Sequence, residues 1–208
     1  MSALPSLNPP FSGRQQQRDA DTLAMHIFLA TEMMLFGGLL LAILACRLLH
    51  PQSFIAASSR LDLVIGTANT GLLLTSSLFA ALAVPAARDG KFRRCVAMLG
   101  AAALLGLGFL VLKGIEYHDD AVQGLLPRSA GMDGVASLFL SLYYISTALH
   151  ALHVTIGIGL FGWLTLTLGR QLSKRGDAAI RVANVALYWH FVDVVWVFLF
   201  PALYLARS

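Results

Sequence analysis

Apolar residues along this chain run continuously instead of alternating with polar ones. Five of the runs, at roughly 25–48, 62–85, 95–115, 135–168 and 182–205, are long enough to be spanning helices, since crossing a hydrocarbon core takes about 20 mainly apolar residues. The strands of an outer-membrane barrel would instead alternate with a period of two, and these stretches do not. Punctuation marks the limits: His50-Pro51-Gln52-Ser53 is expected to break the chain after the first run, and Pro85 to close the second. The Gly124 to Gly134 segment with Pro127 separates the third from the fourth. The pattern predicts an all-α fold, an integral membrane bundle of five transmembrane helices. Residues 1–22 read as a flexible cytoplasmic tail and 23–208 as the five-helix domain. The opening residues are polar, bear Pro, Gln and Arg and have no apolar core, so they do not read as a cleavable signal peptide.

Composition strengthens this reading. Hydrophobic residues make up 57% of the 208 and charged residues 12%, where a soluble domain has about a quarter charged. A net charge of +4 does not signal nucleic acid, because the basic residues sit in short loops rather than in a patch interleaved with aromatics. They report topology instead. Arg14, Arg18, Arg88, Lys91, Arg93, Arg94, Arg170, Lys174, Arg175 and Arg181 fall on one side, and Arg47, Arg60, Lys113, Arg128 and Arg207 on the other. The excess places the N-terminus in the cytoplasm and, after five crossings, the C-terminus outside. Cys46 and Cys95 have no second cysteine nearby and read as buried or lipid-facing thiols. In the third run Gly100, Ala102, Ala103, Gly106 and Gly108 allow close helix packing, and the absence of an internal repeat argues against an inverted-repeat transporter.

Ionisable residues inside these runs carry the functional signal, because each costs about 2.5–3.5 kcal/mol on insertion scales and is normally sheltered by protein. Glu32 stands one helical turn after Phe28 and one before Phe36, roughly 10 Å into the first run at about 1.5 Å per residue. It is a candidate proton-responsive carboxylate, with a hydrogen-bonded structural acid as the alternative. In the second run Gly66, Asn69, Thr70, Leu73, Ser76 and Ser77 form a small and polar stripe suited to helix packing. Lys113, Glu116 and Tyr117 stand at i, i+3 and i+4, spaced either for an ion pair or for a lysine that reaches back to the interface. His150 and His153 recur at i, i+3, as do His190 and Asp193, where an imidazole beside a carboxylate would form a charged or strongly hydrogen-bonded pair. A haem needs ligands on opposite faces of its ring, which His150 and His153 on one arc do not supply. A cross-helix pair such as His150 with His190 would, but nothing in the spacing demands it, and no closed zinc set is visible.

These residues also carry a family resemblance. Trp189-His190-Phe191-Val192-Asp193-Val194-Val195-Trp196, followed by Phe198-Leu199-Phe200 and Tyr204, resembles the last helix of subunit III of the haem–copper terminal oxidases. Thr147-Ala148-Leu149-His150-Ala151-Leu152-His153-Val154 with Gly157 is similar to that family's His-Gly-Leu-His-Val segment. Phe28-Leu29-Ala30-Thr31-Glu32 with Phe36, Asn69-Thr70 with Leu74-Thr75-Ser76-Ser77, and Glu116-Tyr117 follow the family's order. The resemblance covers residues 26–205.

The resemblance implies a non-catalytic subunit of a cytochrome c or quinol oxidase, in a bacterial inner membrane. It would bind no haem, copper or other metal itself, and would contain no catalytic centre. Its partners would be the catalytic subunit I, which holds haem and copper, the other oxidase subunits, and phospholipids. Its implied roles are to stabilise subunit I, bind lipids and support proton uptake in aerobic electron transport. Glu32 matches the family's carbodiimide-reactive carboxylate, while Glu116, His150, His153, Trp189, His190 and Asp193 match motif positions of a structural or lipid-associated kind. Two departures stand out. The first two helices of the seven-helix members are missing, as in five-helix bacterial forms. Ala151 replaces a usual glycine, and Pro201 with Leu203-Tyr204-Leu205 resembles an accessory subunit of bacterial nitric oxide reductases, the alternative reading. A rival from another class is an independent proton-coupled transporter or b-type cytochrome.

Overall fold

The computed structural model describes residues 13–124, 134–170 and 175–205. They form six helices in the order α1 (Arg14–Leu49), α2 (Pro51–Ser58), α3 (Leu63–Arg88), α4 (Phe92–Val122), α5 (Gly134–Arg170) and α6 (Arg175–Tyr204). Five are long and apolar enough to cross a membrane, over Asp19–Leu49, Leu63–Arg88, Phe92–Val122, Ser137–Leu168 and Ala178–Tyr204. The five-span architecture expected from the hydrophobic pattern is present, and the spans extend beyond the apolar runs at most ends. Helix α1 starts at Arg14, inside the segment read as a tail. The separator between the third and fourth spans lies mostly outside the described residues.

Two prolines behave differently from expectation. Pro51 does not open a loop. It sits at the first position of the short helix α2, where its missing N–H is one that no helical carbonyl would have used. Pro85 does not close its span either: α3 continues to Arg88, and Asp89 N–H donates to the Pro85 carbonyl. A proline three residues from a helix end forfeits one bond to the preceding turn, while the bonds made after it are unaffected. The start of α3 is fixed by Asp62, whose carboxylate accepts the N–H groups of Val64 and Ile65 at 2.8 and 3.2 Å, capping two donors that the helix leaves free. Gly90, with φ of 73°, makes the sharp turn into α4, a conformation that costs a residue with a Cβ.

Helices α3, α4, α5 and α6 close into a ring, each packed on the next and α6 on α3, while α1 leans on the outside of the α5/α6 seam and α2 tucks under α5. Within their most apolar windows α6 is 50% buried and α1 only 11%, so α6 is the most enclosed span of the ring and α1 an outer stave. Two glycine notches key the ring together. The Trp189 indole fills the space where a Cβ on Gly106 would lie 2.7 Å from it and one on Gly157 2.6 Å. A third notch, Gly66, receives Phe200 and Tyr204. The small-residue spacing Ala102/Gly106 is thus used for packing, but at Gly106 the guest is a tryptophan ring. The polar stripe on α3 also serves packing: Ser76 donates to the Ala102 carbonyl at 2.9 Å, and Thr70 accepts the Trp196 indole N–H at 3.0 Å. The outer walls are apolar, with Met34, Leu104 and Leu166 among the most exposed side chains. Exposed Thr67, Thr75 and Thr155 return their hydroxyls to carbonyls of their own helix, as a lipid-facing hydroxyl must.

Candidate functional site

The polar residues form two groups joined by α6. The first lies where α1 meets α5. His153 Nε2 is 3.1 Å from Glu32 Oε2, and its Nδ1 is 2.8 Å from the Leu149 carbonyl. A carbonyl can only accept, so Nδ1 carries a hydrogen. Neutral His153 would then present Nε2 as an acceptor, and a bond between two acceptors is impossible. One proton therefore lies between Nε2 and Oε2, either on the imidazole as an ion pair or on the carboxyl as a neutral one. Aromatic rings wall the pair: Phe36 stands edge-on to His153 at 5.2 Å, Tyr188 lies 6.5 Å from it, and the Tyr188 hydroxyl donates to the His153 carbonyl. The side chain of Glu32 remains 18% exposed, so the pair sits at the rim of the bundle and not at its centre.

The second group is sealed inside the ring. Lys113 on α4 is 2% exposed and spends all three of its N–H donors, on Glu116 Oε2 at 3.0 Å, Tyr143 Oη at 3.1 Å and Tyr204 Oη at 2.6 Å. The Tyr204 hydroxyl in turn donates to Glu116 Oε1, and so does Tyr143 at 3.0 Å. Asp120, one turn beyond Glu116 and 5% exposed, faces the Tyr143 hydroxyl at 3.3 Å. Lys113 also lies over the rings of Tyr143 and Trp196, 4.7 and 5.5 Å from their centroids, a favourable setting for a desolvated cation. Of the two readings open for Lys113, the ion pair is correct and the snorkelling lysine is not. The site locks α4, α5 and α6 together, because each partner of the ammonium comes from a different helix.

The remaining candidates separate. His150 is fully buried, edge-on to Phe109 and tilted against Trp196 at 5.0 Å, and Trp189 fills the glycine notches. His190 and Asp193 do not pair as their spacing suggested: both turn to Ser77 on α3, with His190 Nδ1 2.6 Å from its hydroxyl and the Asp193 carboxyl beside that same hydroxyl. A helix face shared at i, i+3 leaves each side chain free to turn toward a neighbouring helix, and α3 supplied the nearer partner. Asp120, Tyr143 and Ser77 were not anticipated as members of these groups. A buried lysine needs acceptors from other helices, and the tyrosines of the spans were the residues able to provide them.

A closed ring of apolar helices that seals an ammonium, carboxylates and imidazoles away from lipid defines a multi-pass membrane protein with its polar chemistry inside. A profile of the family described as Cytochrome c oxidase subunit III matches residues 13–208. The chain belongs to that family, the subunit III of haem–copper oxidases. Cytochrome c oxidase subunit 3 of Bacillus sp. (strain PS3) is 31% identical over 98% of this chain and 91% of its own length. Cytochrome bo(3) ubiquinol oxidase subunit 3 of Pseudomonas aeruginosa is 30% identical over 86% and 81%. A heme-copper oxidase subunit I+III of Aeropyrum pernix is 27% identical over 90% of this chain, which corresponds to 23% of that longer protein.

Proposed function

We propose that this chain is the non-catalytic third subunit of a bacterial respiratory oxidase, seated beside a subunit I that holds the haem and copper. One observation carries the proposal: the family match spans nearly the whole chain, residues 13–208. The fused I+III relative supports subunit I as the neighbour, since two parts of one polypeptide are held together. The relatives named above are subunits of cytochrome c, ubiquinol and heme-copper oxidases, which favours an oxidase over a nitric oxide reductase complex. In this role the chain stabilises subunit I, holds phospholipids against its apolar walls and supports proton uptake through Glu32, whose single-proton link to His153 and partial exposure suit exchange. The N-terminus is cytoplasmic: with Lys113 inside the bundle, the loop and terminal count is ten basic residues against four, which strengthens the bias. Purification of the tagged chain from its native membrane tests the proposal. A co-purifying large subunit with haem–copper spectra is expected, and a chain that purifies alone, or with a haem and non-haem-iron partner, refutes it.

A further inference from the structure

The Lys113 site contains two carboxyl groups and one ammonium, so with all three ionised it would seal a net negative charge inside the ring. The titratable groups within reach of Asp120 are Lys113, Glu116 and Tyr117 on its own helix, Tyr143 and Tyr144 on α5, and Tyr204 on α6. Lys113 is the one cation of this set. His150, further along α5, does not add a second, because its ring lies against Phe109 and Trp196 and neither nitrogen has a hydrogen-bond partner among the described residues. An imidazolium there would hold two N–H donors without an acceptor. Lys113 commits its three donors to Glu116, Tyr143 and Tyr204, so none is left for Asp120. Asp120 is thus the carboxyl without a direct counter-charge, at 5% exposure, a setting in which an ionised group is costly.

Counting hydrogens gives the same answer as counting charges. The Tyr143 hydroxyl accepts from Lys113 at 3.1 Å and stands 3.0 Å from Glu116 Oε1 and 3.3 Å from Asp120 Oδ2, yet it has a single hydrogen to give. The nearer oxygen, on Glu116, takes it. The contact with Asp120 then joins two oxygens with no hydrogen between them, unless Asp120 brings one. We infer that the Lys113 site binds one proton of its own, carried on Asp120 Oδ2 and donated to the Tyr143 hydroxyl. Tyr143 then accepts twice and donates once, and the cluster is electroneutral. A metal ion beside Asp120 would balance the charge but leave the 3.3 Å oxygen pair without a hydrogen, whereas the proton closes both counts. Its way to water is short: Asp120 lies near the end of α4, and His118 and Asp119, next to it in the chain, are exposed. The proton completes the lock between α4 and α5, because without it the two helices would meet at a pair of facing acceptors.

Infrared spectroscopy tests this on the tagged chain purified from its native membrane, in whatever complex it brings with it, because a protonated carboxyl and a carboxylate absorb in separate regions. Growth of an aspartate-requiring strain on aspartate with an isotopically labelled carboxyl marks Asp bands apart from those of Glu. The wild type should show a labelled carboxylic-acid band that Asp120→Asn lacks. That variant should assemble and resist thermal dissociation as the wild type does, since the asparagine amide reproduces a neutral donor to Tyr143. Loss of a labelled carboxylate band in place of the acid band would overturn the inference. So would failure of Asp120→Asn to assemble, because a neutral donor would then not suffice at this position.

Discussion

His153 on α5 holds Glu32 on α1 across 121 residues of sequence, 3.1 Å from nitrogen to oxygen, with its other ring nitrogen committed to Leu149. The contact ties the least buried span to the ring. A glutamine at 32 can donate its amide N–H to Nε2 and preserve the tie without a carboxyl group. Glu32→Gln is therefore expected to assemble with a normal haem complement while losing covalent carbodiimide labelling at this position, scored by peptide mass spectrometry. A prompt loss of haem in that variant would make Glu32 an assembly residue instead.

Removing one partner of a sealed charge pair costs more than removing both. Lys113→Met leaves Glu116 facing two tyrosine hydroxyls with no cation, and such a break typically costs about 3–5 kcal/mol. The double variant Lys113→Met/Glu116→Gln removes both charges and should recover much of that loss. Thermal dissociation of the purified complex measures it. Equal destabilisation by the single and double variants would mean that the tyrosines, and not the charge balance, hold the site.

The glycine notches give a steric test that involves no charge. A Cβ at Gly157 would stand 2.6 Å from the Trp189 ring, whereas one at Gly100 meets nothing within 4 Å. Gly157→Ala should destabilise by about 1–3 kcal/mol, the usual range for overpacking, and Gly100→Ala should be neutral. Trp189→Phe combined with Gly157→Ala should restore part of the loss, because a smaller ring vacates the notch. Thermal unfolding of detergent-solubilised complexes separates these outcomes.

The sequence made the spans readable because hydrocarbon imposes a length and an apolar composition that few other structures need. Residue partners were less readable. Glu116 and Lys113 could be paired from their spacing on one helix, but Tyr143 and Tyr204 reach Lys113 from α5 and α6, and only the closed ring brings them together. His190 and Asp193 failed in the opposite way: they share a helix face, yet α3 carries Ser77 to the imidazole. Pro85 illustrates a local signal outweighed by position, since near the end of α3 its lost bond is tolerated. Helix α2 has only eight residues, too short for an apolar period to show, and its place is set by Phe54 packed edge-on against Phe139 at 4.6 Å.

Orientation in the membrane yields to chemistry at two exposed loop positions. Cys46 and Cys95 are buried, so a membrane-impermeant thiol reagent should leave the wild-type chain unlabelled in intact cells. Ser59, exposed between α2 and α3, and Lys91, exposed between α3 and α4, lie on opposite sides of one span. On the orientation proposed above, the second loop, with the basic cluster Arg88, Lys91, Arg93 and Arg94, faces the cytoplasm. Ser59→Cys should be labelled from outside, and Lys91→Cys only after permeabilisation. The reverse pattern would invert the bundle and place the N-terminus outside, because successive spans must alternate in direction.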